Sequence, residues 1–207
     1  AFWLIVAGIV FDFFDGFVAR LLHSSSAIGV QLDSLADVIT SGLAPAAVLW
    51  QVCLQTEPCW LPEGWKLGYG VFVLAAFSAL RLAKFNIDET QTVEFCGLPT
   101  PAGSLLCASL GMLWQQGMLA LSSDGVLLVA VLTSLLLVSP IRMFALKFHG
   151  FGWRGNEVRY LFLLASIVLI IILRTYAIPV IIVLYIVVSA VRWLCMRSGN
   201  PDKAPKA

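Results

Sequence analysis

Asp12, Asp15, Asp33 and Asp37 are four of the twelve acidic residues in the chain, and all four stand in otherwise apolar sequence. Asp12 and Asp15 are spaced i, i+3, and Ala19 continues the same helical stripe. Gly29, Asp33 and Asp37 are spaced i, i+4, i+8 and form a second stripe. The short Ser-rich turn at His23–Ser26 makes the two helices antiparallel neighbours, so both stripes face one cleft. Carboxylates held this close repel one another unless cations compensate them. A site offering only oxygen favours Mg²⁺, Mn²⁺ or Ca²⁺. Two divalent ions would neutralise the four charges. Gly16, Ala19 and Gly29 are small and leave room for a ligand beside the backbone. An ion or proton pathway uses buried carboxylates too. A lone aspartate is commonly a helix cap, but four on two facing stripes are not.

The elements that carry these stripes are membrane helices. The 207 residues are 60% hydrophobic and 12% charged, with a mean hydropathy of +0.93. Soluble domains have about half apolar and about a quarter charged residues. In a bilayer each ionised aspartate costs about 2.5–3.5 kcal/mol, so four uncompensated ones would cost on the order of 10 kcal/mol. Seven segments reach the roughly 20 apolar residues that a span needs: 1–22, 29–53, 67–86, 99–121, 124–145, 157–174 and 177–196. The expected fold is an all-α polytopic bundle of about seven helices in one domain, residues 1–197, followed by a disordered cytosolic tail, 198–207. The apolar start at Ala1 points to a further helix before it.

Threading the seven helices back and forth places Arg20, Arg81, Lys84, Arg142, Lys147, Arg154, Arg159, Arg192, Arg197, Lys203 and Lys206 on one side. Lys66 and Arg174 fall on the other. This bias marks the first side as cytosolic, with the acidic cleft opening toward it. Cys53 and Cys59 flank one loop, and both a disulfide and two free thiols fit the spacing.

Residues 12–37 read D-F-F-D-G-F-V-A-R-L-L-H-S-S-S-A-I-G-V-Q-L-D-S-L-A-D. They resemble the signature of the CDP-alcohol phosphatidyltransferase family: D-x-x-D-G-x-x-A-R, eight residues, then G-x-x-x-D-x-x-x-D. The resemblance implies a helical core that binds two divalent metals and the pyrophosphate of a CDP-linked lipid. It implies a small-alcohol acceptor: serine, glycerol phosphate or inositol phosphate. Arg81–Asn86 (R-L-A-K-F-N) and Gly97–Ala102 (G-L-P-T-P-A) are similar to segments of the phosphatidylserine synthase branch. So is Leu137–Ile141, where Pro140 and then Met143 depart from the pattern.

On this resemblance the chain is an integral protein of the cell (inner) membrane that transfers a phosphatidyl group from CDP-diacylglycerol to L-serine, releasing CMP. Asp12, Asp15, Asp33 and Asp37 would hold two Mg²⁺ or Mn²⁺ ions, and Asp37 would also be the catalytic base. Gly16, Ala19, Arg20 and Gly29 would bind CDP-diacylglycerol. Arg81 and Arg142 would bind the serine carboxylate, for which an arginine fork is suited; a helix-end cation that snorkels to the interface is the plainer role for Arg81. Membrane lipids and a second copy of the chain are the remaining candidate partners, and no nucleic acid is expected. A glycerol phosphate or inositol phosphate acceptor, and a carboxylate-lined cation transporter, are the rival readings.

Overall fold

The computed structural model describes residues 1–22, 26–59, 67–87, 94–144 and 156–199. His23, Trp60, Trp65, Lys66, Lys147, His149, Trp153, Arg154 and the tail beyond Gly199 lie outside the described residues, as do the side chains of Arg20 and Arg197. Helix α1 is Phe2–Leu21, and α2 is Ala27–Asp37. A π-helical turn, Val38–Leu43, joins α2 without a break to α3, Ala44–Leu54. Then come a 3₁₀ turn at Leu67–Phe72, α4 (Val73–Ile87), strand β1 (Glu94–Cys96), α5 (Thr100–Gln115), α6 (Ser123–Leu137) and strand β2 (Arg142–Phe144). Helices α7 (Glu157–Leu173) and α8 (Ala177–Gly199) complete the described chain.

Phe2–Ala19, Ile28–Leu54, Gly68–Ile87 and Glu157–Met196 are each long and apolar enough to cross a membrane. The last is 40 residues long and folds back on itself at Arg174, whose φ of 49° breaks the helix. Phe162 of α7 consequently meets Tyr185 of α8, ring centroids 5.9 Å apart. With α5 and α6 this makes seven helical passages among the described residues. The all-α expectation holds, with corrected ends. The segment expected at 99–121 stops at Gln115, because Gly117 turns the backbone at φ +68°. The segment expected at 124–145 stops at Leu137. Pro140 has no N–H to continue it and disfavours the helical conformation for Ser139. Beyond it, β2 runs antiparallel to β1, pairing Phe95 with Met143 and Cys96 with Arg142.

Helix starts follow the side chains available. Ser26 accepts a hydrogen bond from the Gly29 N–H at 3.0 Å and caps α2. Ser122 caps α6 by accepting from Gly125. Pro99 precedes α5 and Pro101 occupies its first turn, where a missing N–H costs nothing.

The core gathers Leu49 and Val52 of α3, Leu74 of α4, Cys107 of α5, Val126 and Ala130 of α6, Phe144, Phe162 and Tyr185. Lipid is as apolar as leucine, so association here rests on close packing of small residues. Gly42 faces Ser78, where an added Cβ would sit 2.9 Å from the serine Cβ. Gly103 faces Thr133 in the same way at 3.2 Å. Helix α1 joins this body through its first half, where Phe2 and Ile5 pack with Ala108. Its second half, which carries Asp12 and Asp15, stands largely exposed. Cys53 and Cys59 are free thiols, and the buried Cys53 donates to the Ser123 carbonyl at 3.6 Å.

Hydrogen bonds identify the two ends of the bundle. At one end Ser123 N–H reaches the Glu57 carbonyl and the Tyr176 hydroxyl reaches the Met118 carbonyl. At the other, Asn86 Nδ2 donates to Ser34 Oγ at 2.9 Å and Leu98 N–H to the Leu136 carbonyl. This second end holds the termini of α1 and α2 that flank the acidic stripes, the end of α4 and both strands.

Candidate active site

The second half of α1 carries Asp12 and Asp15, and the second half of α2 carries Asp33 and, as its last residue, Asp37. Asp37 lies within electrostatic range of Asp12, Asp15, Asp33 and Arg81. Asp12 and Asp37 are half-buried, whereas Asp15 and Asp33 are exposed. Among the described residues, no three His, Cys, Asp or Glu side chains close into a metal-ligand set. The donors are nonetheless of the kind a hard divalent cation takes, carboxylate oxygens on two neighbouring helices. Among the described residues, a Cβ added at Gly16 would meet nothing within 4 Å beyond its own helix backbone and chain neighbours. The backbone beside Asp12 and Asp15 is thus open to a ligand. The Gly29 N–H is taken by its own helix cap, and a Cβ there would lie 3.0 Å from Ser26 Oγ. Ala19 is half-buried on the Asp12 stripe.

Sequence reading missed Thr40. Its Oγ1 donates to Asp12 Oδ2 at 2.7 Å, across the gap between the π-turn and α1. Nothing local signals this contact, because the partners are 28 residues apart. The link from Asn86 to Ser34, which sits between Asp33 and Asp37, was missed for the same reason.

Arg81 is 7% exposed, which corrects the view of it as a snorkelling cation. Its Nη1 donates to Thr100 Oγ1 at 2.9 Å, and its Nε is buried without a hydrogen-bond partner. It lines a cavity of about 250 Å³ together with Lys84, Ile87, Cys96, Leu137, Val138 and Ser139. Arg142 is half-buried and stands opposite Cys96 in the strand pair. Of the two arginines expected to meet a carboxylate, Arg81 lines this cavity, while Arg142 is not among its lining residues and is linked to it only through its strand partner Cys96.

Known proteins carry the same pattern. Residues 1–145 match the family model described as CDP-alcohol phosphatidyltransferase. The CDP-diacylglycerol–serine O-phosphatidyltransferase of Bacillus subtilis is 33% identical over 149 residues, 70% of this chain and 75% of that protein. The Helicobacter pylori protein of the same name is 32% identical over 202 residues, 94% of this chain and 79% of that one. That of Mycobacterium tuberculosis is 35% identical over 219 residues, 98% of this chain and 73% of that one. With its signature complete from Asp12 to Asp37 and the match extending through β2, the chain belongs to the CDP-alcohol phosphatidyltransferase family.

Proposed function

We propose that this membrane protein transfers the phosphatidyl group of CDP-diacylglycerol to L-serine, giving phosphatidylserine and CMP. The observation that carries this reading is the junction of the acidic cleft with the Arg81 cavity. One half suits a charged diphosphate donor, the other a small carboxylate-bearing acceptor. The names of the relatives agree with that division of labour.

Asp12, Asp15, Asp33 and Asp37 would hold two Mg²⁺ or Mn²⁺ ions. Bound there, such ions offset the charge of a pyrophosphate and of the phosphate that leaves it. The open backbone at Gly16, with Ala19, Gly29 and Arg20, receives the CDP portion. Arg81 offers its unpaired Nε to the serine carboxylate, with Arg142 as a second cation. The serine hydroxyl oxygen forms a bond to the phosphorus that carries diacylglycerol. The bond from that phosphorus to the bridging oxygen breaks, and CMP leaves. The hydroxyl proton passes to Asp37, which lies on the Arg81 side of the stripe within electrostatic range of that arginine.

The cationic end of the bundle carries Arg81, Lys84, Arg142, Arg159 and Arg192, against Arg174 at the other end among the described residues. That asymmetry supports a cleft that opens to the cytosol. The deciding experiment follows CMP release from CDP-diacylglycerol in vesicles, with and without serine. Serine-dependent release with phosphatidylserine as product is expected. Release that requires glycerol phosphate or inositol phosphate instead, or no release with any alcohol, overturns the reading.

A further inference from the structure

We propose that Thr40 is a positioning residue that orients the carboxylate of Asp12 toward bound cation, and that the π-turn is the device that places it. This rests on the reading of Asp12 as a metal ligand. The approach of the two chains is built in. Gly8 lies one helical turn before Asp12, and a Cβ at Gly8 would sit 3.1 Å from Thr40 Cγ2. α1 therefore comes within van der Waals contact of the π-turn at the level of the first aspartate.

Thr40 has one hydroxyl proton and three acceptors in reach: Asp12 Oδ2 at 2.7 Å, the Ala36 carbonyl at 2.9 Å and the Asp37 carbonyl at 3.5 Å. A threonine inside a helix ordinarily donates to the carbonyl four residues back. Here the shortest approach is to the carboxylate instead, at a distance typical of a charge-assisted O–H···O⁻ bond. That bond ties one oxygen of Asp12 to the protein and leaves the second for a cation.

The wider π-turn lets neighbouring residues serve two partners. Ser41 and Gly42 are buried, with Gly42 set against Ser78 and Ala75 of α4, while Thr40 reaches α1. Turns of this kind inside α-helices are frequent at functional sites. Here the turn begins at Val38, directly after Asp37, so it couples both acidic stripes to the packed body of the bundle.

The experiment is Mn²⁺ binding to purified, substrate-free protein by calorimetry, with the Mn²⁺ dependence of turnover measured beside it. Thr40→Val keeps the shape and removes the donor, and Thr40→Ser keeps the donor. Thr40→Val should bind Mn²⁺ about 10- to 100-fold more weakly, the usual effect of losing a group that orients a metal ligand. Thr40→Ser should remain near wild type. Equal losses in the two variants would overturn the proposal, because packing rather than the hydroxyl would then be at work. Wild-type binding by Thr40→Val, where Asp12→Asn has lost it, would overturn it as well. If Asp12→Asn itself binds Mn²⁺ normally, the ligand reading of Asp12 falls and this proposal falls with it.

Discussion

Arg81 Nη1 and Thr100 Oγ1 are 2.9 Å apart, a hydrogen bond that ties the end of α4 to the first turn of α5. Both residues are buried, and the guanidinium Nε beside this bond has no partner. A buried cation with a spare donor, set at the wall of a cavity, is costly without an anion to receive it.

The serine carboxylate is that anion in the proposed reaction. Arg81→Ala should raise the KM for serine and leave that for CDP-diacylglycerol much less affected. Hydrogen bonds to charged groups are worth about 1.5–3 kcal/mol, which corresponds to roughly 10- to 150-fold in KM. Thr100→Val removes only the tether and should raise the serine KM less, roughly 2- to 13-fold for a loss of about 0.5–1.5 kcal/mol. Steady-state kinetics with each substrate varied in turn distinguish these outcomes. An unchanged serine KM in Arg81→Ala would leave the arginine a purely structural role.

Metal dependence is the second expectation. Activity should vanish in EDTA and return with Mn²⁺ or Mg²⁺. Asp12→Asn, Asp15→Asn and Asp33→Asn should each raise the metal concentration needed for half-maximal rate, with partial rescue at high metal. Full activity in chelator would remove the ions from the mechanism.

Gly16 tests the donor side. Among the described residues, nothing beyond its own helix backbone and chain neighbours lies within 4 Å of the position its Cβ would take, so a side chain there enters open space. The variant should stay monodisperse in detergent, because nothing packs there, yet lose binding of CDP-diacylglycerol, because the leucine fills the ligand's space. Normal donor binding by a well-behaved Gly16→Leu would show that the CDP moiety lies elsewhere.

The acidic stripes were legible because helical spacing is local: Asp12 to Asp15 and Asp33 to Asp37 state their own geometry once the segments are helical. The seven passages were legible for a similar reason, since each is a long apolar run. The strand pair was not. Each strand has three residues, and Phe95 and Met143 are strand residues only because each has the other as partner. The end of α6 was marked by Pro140, but the density of apolar residues around it hid that mark. Thr40 was invisible because its role depends on a π-turn and on a partner on another helix. Arg81 was noticed in sequence for its charge. What sequence could not show was that it is buried, since that depends on α5 arriving with Thr100.

Asp37 separates the base from the ligands. It lies one turn beyond Asp33 on the same stripe and immediately before the π-turn. It has the other three aspartates and Arg81 in electrostatic range. A proton acceptor at that junction can reach the acceptor alcohol while the donor lipid is held on the Asp12 side. Asp37→Asn keeps the size of the side chain and removes its capacity to take a proton. General-base catalysis contributes about 10²–10⁴-fold to rate, so single-turnover transfer should fall by that order while binding of CDP-diacylglycerol survives. Mn²⁺ affinity should fall less than in Asp12→Asn or Asp15→Asn. The comparison to run is donor binding and single-turnover rate for Asp37→Asn beside Asp33→Asn. If Asp37→Asn loses donor binding as completely as Asp33→Asn, Asp37 acts chiefly as a ligand. If it turns over at a near-normal rate, the proton leaves the serine hydroxyl by another route.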